Sequence, residues 1–206
     1  MGHLLLVRHG MSEWNKAGVW TGLTDVHLAA EGFAEAKRAA DAIAGIEIHK
    51  AHVSQLARAE ETFECMEIAL HTHIPEERSA ALNERDYGTY TGKNKWEVKK
   101  EVGDEKFERI RRSWNEPVPD GETLKDVYAR IVPYFEEHIL PDIKADKNIL
   151  VVAHGNSLRA LIKYIEHASD EAVCDIEVGV GEVVLYSFDA SGRVTGKEVR
   201  SEHVVV

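Results

Sequence analysis

The chain has 206 residues, 44% of them hydrophobic and 30% charged, with a formal net charge of −11, a composition that fits one globular domain over residues 1–206 with a substantial core. The acidic balance, with no lysine or arginine stripe, excludes a nucleic-acid partner, and the absence of any apolar run near ~18 residues excludes a membrane span. A small anionic ligand is not excluded, because screening cuts bulk charge off beyond about 8 Å at physiological salt while a cation in contact still acts.

Leu4-Leu5-Leu6-Val7 reads as a fully buried strand that runs into Arg8-His9-Gly10-Met11-Ser12-Glu13-Trp14. An imidazole beside a permanent cation and a glycine suits phosphate chemistry. A neutral ring with one bare nitrogen can attack phosphorus, and Gly10 lets backbone come close enough to fix the other nitrogen. With only four apolar residues ahead of Arg8 there is too little for a signal peptide, and Cys65 and Cys174 lie in apolar or helical surroundings. Buried, reduced thiols and a cytoplasmic location are expected.

Glu31 to Gly45 places Phe33, Ala36, Ala40 and Ile43 at helical spacing, and Gly45 is a plausible stop. His52-Val53-Ser54 reads as a short strand and Ala57 to His71 as a second helix, an alternation that predicts a parallel sheet. Arg58 follows that strand closely. It is either a second cation for the same site or a helix-surface arginine paired with Glu60 or Glu61. His49 with His52 and His71 with His73 have the spacing of metal ligands, but no cysteine or carboxylate pattern of zinc type surrounds them, and no metal is expected.

From Leu82 to Gly103 the pattern is irregular, with loops at Gly88 and Gly92 and a helix over Lys95–Val102. Glu84, in this stretch among hydroxyls and glycines, is the natural proton carrier. Arg111-Arg112-Ser113-Trp114 reads, on composition alone, as a solvated helix end. Glu122 to Ile139 carries Leu124, Val127, Tyr128, Ile131, Val132, Phe135 and Ile139 on one side, interrupted by Pro133, where a kink or two abutting helices are expected.

A second strand, Ile149–Ala153, ends in His154-Gly155-Asn156-Ser157, followed by a helix marked by Leu158, Leu161, Ile162 and Ile165. Glu182–Phe188 and Arg193–Val199 flank Asp189-Ala190-Ser191-Gly192 as an antiparallel hairpin closing the sheet. Reactive groups of open α/β sheets gather beyond the carboxyl ends of strands, so His9 and His154 can meet in one crevice.

Leu6-Val7-Arg8-His9-Gly10-x-Ser12-x-Trp14-Asn15, Trp20-Thr21-Gly22-x-x-Asp25, Arg58-Ala59 with Thr62, Leu82-Asn83-Glu84-Arg85-x-Tyr87-Gly88, Asn94-Lys95, Arg111-Arg112-Ser113-Trp114 and His154-Gly155-Asn156-Ser157-Leu158-Arg159 together resemble the cofactor-dependent phosphoglycerate mutases of the histidine phosphatase superfamily. The resemblance implies a three-layer α/β/α sandwich on a mostly parallel central sheet with an antiparallel edge. It also implies interconversion of 3-phosphoglycerate and 2-phosphoglycerate in glycolysis and gluconeogenesis, primed by 2,3-bisphosphoglycerate and needing no metal. His9 would take the phosphoryl group, Arg8, Arg58, His154 and Asn15 would cradle its oxygens, and Glu84 would carry the proton of the substrate hydroxyl. Ser12, Thr21, Gly22, Tyr87, Lys95, Arg111, Arg112, Gly155 and Asn156 would hold the carboxylate and the second phosphate.

Met11 stands where the family usually has glutamate, the stretch between Arg112 and Glu122 lacks an insertion of the longer members, and Ser201–Val206 leaves little for a tail over the site. A poorly covered phosphohistidine would meet water more often and raise phosphatase side activity. Subunit contacts differ among short members, so both monomer and homo-oligomer stay open. The alternative is a phosphatase of small phosphate esters on the same scaffold, and a third reading is a phosphoanion-binding protein without turnover.

Overall fold

The apolar run near the start forms β1 (Gly2–Arg8), whose centre, Leu4 to Val7, is fully buried. One helical turn, α1 (Glu13–Lys16), precedes α2 (Ala30–Ile43), β2 (Lys50–Ser54), α3 (Ala57–Leu70) and the edge strand β3 (Glu76–Ser79). An irregular stretch leads to α4 (Lys95–Val102), α5 (Asp104–Arg112) and α6 (Leu124–Tyr134), which continues through a π-helical turn, Phe135–Ile139, into α7 (Leu140–Lys144). Then come β4 (Asn148–Ala153), α8 (Gly155–Ile165), β5 (Val183–Phe188) and β6 (Val194–Ser201). This computed structural model describes residues 1–201; residues 202–206, on which the expected short tail falls, lie outside the described residues.

The strands form one sheet in the order β3-β2-β4-β1-β5-β6. β3, β2, β4 and β1 run parallel, and β5 and β6 are antiparallel, so the sheet is mostly parallel with an antiparallel edge, as expected. Side-chain alternation sends Leu4 and Leu6 to one face and Leu5 and Val7 to the other. The first face packs on α6, α7 and α8 through Val127, Ile131, Phe135, Ile143, Leu158 and Leu161. The second packs on α2 and α3 through Ala39, Ala40, Ile43, Phe63 and Met66, which gives the three layers. A smaller cluster of Trp20, Tyr90, Val98, Phe107, Ile110 and Val118 lies under the α4–α5 segment.

Register is what positions the site. β1 and β4 are neighbours with Val7 opposite Val152 and Arg8 opposite Ala153, so the next residue of each strand is a histidine, His9 and His154. Just past β1 the backbone touches the first turn of α2: a Cβ on Gly10 would stand 2.3 Å from the Gly32 carbonyl oxygen, and one on Gly32 would stand 2.3 Å from that of Met11.

Several expectations are corrected. Phe33 is 45% exposed, because Gly32 takes the place against the strand end and the next residue is turned by about 100°. Both cysteines are half-buried rather than buried. Cys65 lies at the α2–α3 surface with its thiol toward the Phe33 carbonyl, and in the turn Ala172–Asp175 it is Val173, not Cys174, that is buried. Pro133 is absorbed one residue before the end of α6, and the irregularity falls after it, in the π-helical turn. α1, β3 and α5 were not expected from the sequence.

Gly32→Ala is a helix substitution that propensity alone would favour by about 1 kcal/mol. Contact with the Met11 carbonyl reverses that sign, and a net loss of about 1–3 kcal/mol is expected in urea unfolding; a stabilised variant would contradict the close packing.

Candidate active site

At the carboxyl ends of β1 and β4 the rings of His9 and His154 lie side by side, centroids 4.9 Å apart and planes tilted by 58°. Both are buried, at 2% and 0% exposure. His9 Nδ1–H donates to its neighbour's carbonyl, that of Gly10, at 2.7 Å, which leaves the bare lone pair on Nε2. Burial, and then the charges of Arg58 and Arg8, hold the His9 pKa well below 6.5, so the ring is neutral.

The tautomer of His154 follows from hydrogen-bond accounting. Asn83 Oδ1 accepts from the Gln55 backbone N–H at 3.0 Å and from the Ser54 hydroxyl at 2.8 Å. With its proton committed, Ser54 Oγ accepts from His154 Nε2–H at 2.7 Å. His154 Nδ1 is then a buried lone pair with no partner among the described residues. Burial, Arg58, His9 and Arg8 hold this pKa well below 6.5 too.

Arginines surround the pair, and their hydrogen bonds go to backbone carbonyls. Arg58, 1% exposed, donates to Thr24 at 3.0 Å and Gly22 at 2.9 Å. Arg8 donates to Val178 at 2.8 Å. Burial pulls the Arg58 pKa down to about 10 despite Glu84 and Asp25. The second reading of Arg58, a surface residue paired with Glu60 or Glu61, is overturned: it points inward and neither acid bonds it among the described residues.

Glu84, 8% exposed, has one carboxylate oxygen, Oε1, fixed by the backbone N–H groups of Arg85 at 2.8 Å and Asn156 at 3.1 Å. No bond to the other oxygen is present among the described residues. Arg130 braces this loop from outside, donating to the carbonyls of Ala81 and Glu84 at 2.7 and 3.0 Å.

One cleft is lined by Arg8, His9, Asn15, Thr21, Gly22, Arg58, Glu84, Tyr87, Lys95, Arg111, Arg112, Gly155 and Asn156, bringing together sequence-predicted residues from seven separate motifs of the chain. Arg111 and Arg112 do end a helix, α5, but line the cleft rather than only facing solvent. Asn156 donates to the Tyr87 hydroxyl at 2.8 Å. Ser12 is placed differently. It is fully buried as the N-cap of α1, with its hydroxyl donating to Asn15 Oδ1 at 2.8 Å, so it sets Asn15 rather than lining the cleft. Lys95, also lining the cleft, is held down to about 8 by burial and then by the charges of Arg8 and Arg111.

Sequence reasoning assigned no role to Val19, Trp20, Arg159, Glu177 or Val178, which also line the cleft. Arg159, 4% exposed, donates to the carbonyls of Arg111 and Arg112 at 3.2 and 2.7 Å and of Ile176 at 2.9 Å, joining three segments. The signal that could have found Arg159 was its place in the His154–Arg159 run; Glu177 carried none. Arg8 Nε, Trp20 Nε1 and Thr21 Oγ1 are buried without a partner among the described residues. Each such group costs about 1–3 kcal/mol that an anionic ligand can offset. Among the described residues no group of three or more His, Cys, Asp or Glu is arranged to hold a metal, and no helix is long and apolar enough to cross a membrane.

Over residues 4–197 the sequence matches the histidine phosphatase superfamily (branch 1). It is 39% identical to 2,3-bisphosphoglycerate-dependent phosphoglycerate mutase 2 of Lactiplantibacillus plantarum, over 96% of this chain and 98% of that protein. It is 42% identical to the 2,3-bisphosphoglycerate-dependent phosphoglycerate mutase of Rhodopseudomonas palustris, over 94% and 95%. Among solved structures, the alpha-ribazole phosphatase of Shigella flexneri superimposes with a TM-score of 0.82 at 21% identity, covering 99% of this chain and 98% of that one. A mycobacterial glucosyl-3-phosphoglycerate phosphatase complexed with VO3 gives 0.80 at 22%, covering 97% and 99%. Likeness at that identity speaks for the fold alone.

A pH dependence of stability follows from the two rings. Their folded pKa values lie below the unfolded 6.5, so the neutral forms stabilise the fold above pH 6.5 and that contribution is lost as pH falls below it. Thermal unfolding should shift to lower temperature on acidification below pH 6.5, less steeply in His154→Gln. Equal slopes in the two proteins would remove His154 from the linkage.

Proposed function

The chain belongs to the histidine phosphatase superfamily, and we propose that it is a 2,3-bisphosphoglycerate-dependent phosphoglycerate mutase, interconverting 3-phosphoglycerate and 2-phosphoglycerate through phosphorylated His9. Relatives carrying that name match nearly its whole length. Residues 1–206 act as one catalytic domain on a small phosphorylated substrate, in the cytoplasm, within glycolysis and gluconeogenesis.

The observation that carries this reading is the second set of cations, Lys95, Arg111 and Arg112, on the same cleft as His9. A phosphatase of small esters needs one phosphate cradle, and these three side chains would have nothing to hold. A ligand with an anionic group at each end fits both sets, as do the buried, unpartnered Arg8 Nε and Thr21 Oγ1. When bound, 2,3-bisphosphoglycerate supplies the phosphoryl group that primes His9.

In this reading His9 Nε2 attacks phosphorus, an N–P bond forming as the P–O bond to the ligand breaks. Arg8, Arg58, Asn15 and His154 hold the equatorial oxygens, where the charge of a loose transition state resides. The arginines suit this because a planar guanidinium meets two oxygens at once. An oxygen beside the bare His154 Nδ1 needs a proton between them, which the phosphoryl group brings as its own O–H, donating to Nδ1 while Nε2–H stays on Ser54. Glu84, through its oxygen not fixed by backbone, gives a proton to the departing alkoxide and takes one from the hydroxyl that receives the group back. Tyr87, Lys95, Arg111, Arg112, Asn156, Gly155 and the backbone at Thr21 and Gly22 hold the carboxylate and the second phosphate.

A coupled assay from 3-phosphoglycerate, with and without bisphosphoglycerate, tests the reaction; turnover indifferent to the primer would refute it. His9→Ala should lose about ten-thousand-fold or more in kcat while staying folded. Replacing Arg111 and Arg112 by alanine should cost about a hundredfold more in kcat/KM for phosphoglycerate than for an aryl phosphate, and equal losses would favour the phosphatase. Lys95 loses its proton above pH about 8 in the free enzyme, so KM for phosphoglycerate should rise above that pH. Lys95→Arg, charged throughout, should flatten the rise; an unaltered profile would take Lys95 out of substrate binding.

A further inference from the structure

Among the described residues, only two acids line the cleft, Glu84 and Glu177. The mechanism uses Glu84 and has no task for Glu177. Its carboxylate meets the Arg112 guanidinium at 2.5 Å, with side chains 35% and 23% exposed. Arg112 belongs to the cation set to which the substrate's second anionic group is assigned.

Glu177 is not a wandering surface side chain. The residue before it is held by Arg159 Nε, which donates to the Ile176 carbonyl at 2.9 Å, and the residue after it by Arg8, which donates to the Val178 carbonyl at 2.8 Å. Arg159 also holds the carbonyl of Arg112 itself at 2.7 Å. The same guanidinium therefore fixes both partners of the ion pair. Arg111 is paired differently, with Glu108 at 3.5 Å one turn back on α5, a residue that does not line the cleft.

We propose that Glu177 is a built-in competitor: its carboxylate occupies Arg112 in place of the ligand's second anionic group, and that group must displace it to bind. The inference rests on the mutase reading for the identity of the ligand, though the competition concerns any phosphate ester that carries a second anion. Glu177 thereby sets specificity. A ligand with a single phosphoryl group engages Arg8, Arg58 and His9 without meeting it, whereas a ligand with a carboxylate or phosphate at its far end exchanges one anion for another at Arg112. Exchange rather than simple capture lowers affinity for the far end and eases its release.

Calorimetric titration of the full chain with 3-phosphoglycerate and with inorganic phosphate tests this without requiring turnover. Glu177→Gln and Glu177→Ala should each tighten 3-phosphoglycerate about fivefold more than they tighten phosphate, the fold-change of a partly exposed ion pair removed from competition. An unchanged ratio of the two dissociation constants, or weaker binding of 3-phosphoglycerate, overturns the proposal; weaker binding would mean that Glu177 orients Arg112 for the ligand. If the wild-type chain converts no phosphoglycerate while the ratio shifts as expected, the mutase reading falls and the competitor stands. A working mutase with an unmoved ratio sinks the competitor alone.

Discussion

Guanidinium groups tied to backbone carbonyls instead of carboxylates are the constraint on which the site depends. Arg58 is bound by Gly22 and Thr24, Arg8 by Val178, Arg85 by Ile110 and Arg159 by Ile176, Arg111, Arg112 and Val173. A carbonyl satisfies the direction of an N–H bond but leaves the positive charge in place. Buried charge without a counter-ion is costly, and the Arg58 and Arg159 pKa values, each lowered to about 10 chiefly by burial, are the trace of that cost. An anion entering the cleft relieves it. The net charge of −11 weighs little against this, because among the described residues only Glu35 and Glu84 are buried acids and charges exposed to solvent are screened.

Topology delivers these groups to one place. β1 and β4 are parallel neighbours that end together, which juxtaposes His9 and His154 although 145 residues separate them in sequence. β2, on the far side of β4, brings Ser54 under His154 and so fixes its ring. The close approach of Gly10 to Gly32 seats the chain past β1 against the first turn of α2, and α1 then carries Asn15 on the cleft with Ser12 buried behind it. Strand register thus places the two rings, and one glycine pair fixes the approach of the chain beside them.

Strands β1 and β4 were legible because continuous apolar runs admit few other readings, and α2, α3 and α8 because their apolar spacing is helical. β3, Glu76-Glu77-Arg78-Ser79, has no such pattern; it is a strand because its backbone pairs with β2. α5 was hidden by its charge, with only Phe107 and Ile110 buried. The residues assigned to the proposed reaction could be read because each follows a strand or sits in a motif. Arg159 could be named but not interpreted, since its partners at 111, 112, 173 and 176 are distant in sequence. Glu177 was invisible, one acid among thirty-six.

The cations at the two ends of the cleft are held by different means, and in the proposed mutase reading that difference suits a transfer in which the ligand turns over between two phosphoryl positions. At the His9 end, Arg58 is sealed from solvent and no carboxylate bonds it among the described residues. At the other end, Arg111 and Arg112 are each 23% exposed and carry acidic partners. A unit pair at 4 Å is worth about 4 kcal/mol at an effective dielectric of about 20 and about 1 kcal/mol in bulk water, so partial contact with solvent weakens the outer grip relative to the sealed one. Two inner-type sites would hold a doubly phosphorylated ligand too firmly to let it reorient, and two outer-type sites would not fix a phosphorus in line with His9 Nε2. One rigid cradle and one exchangeable one satisfy both demands, and the acid lodged beside Arg112 belongs to the exchangeable end.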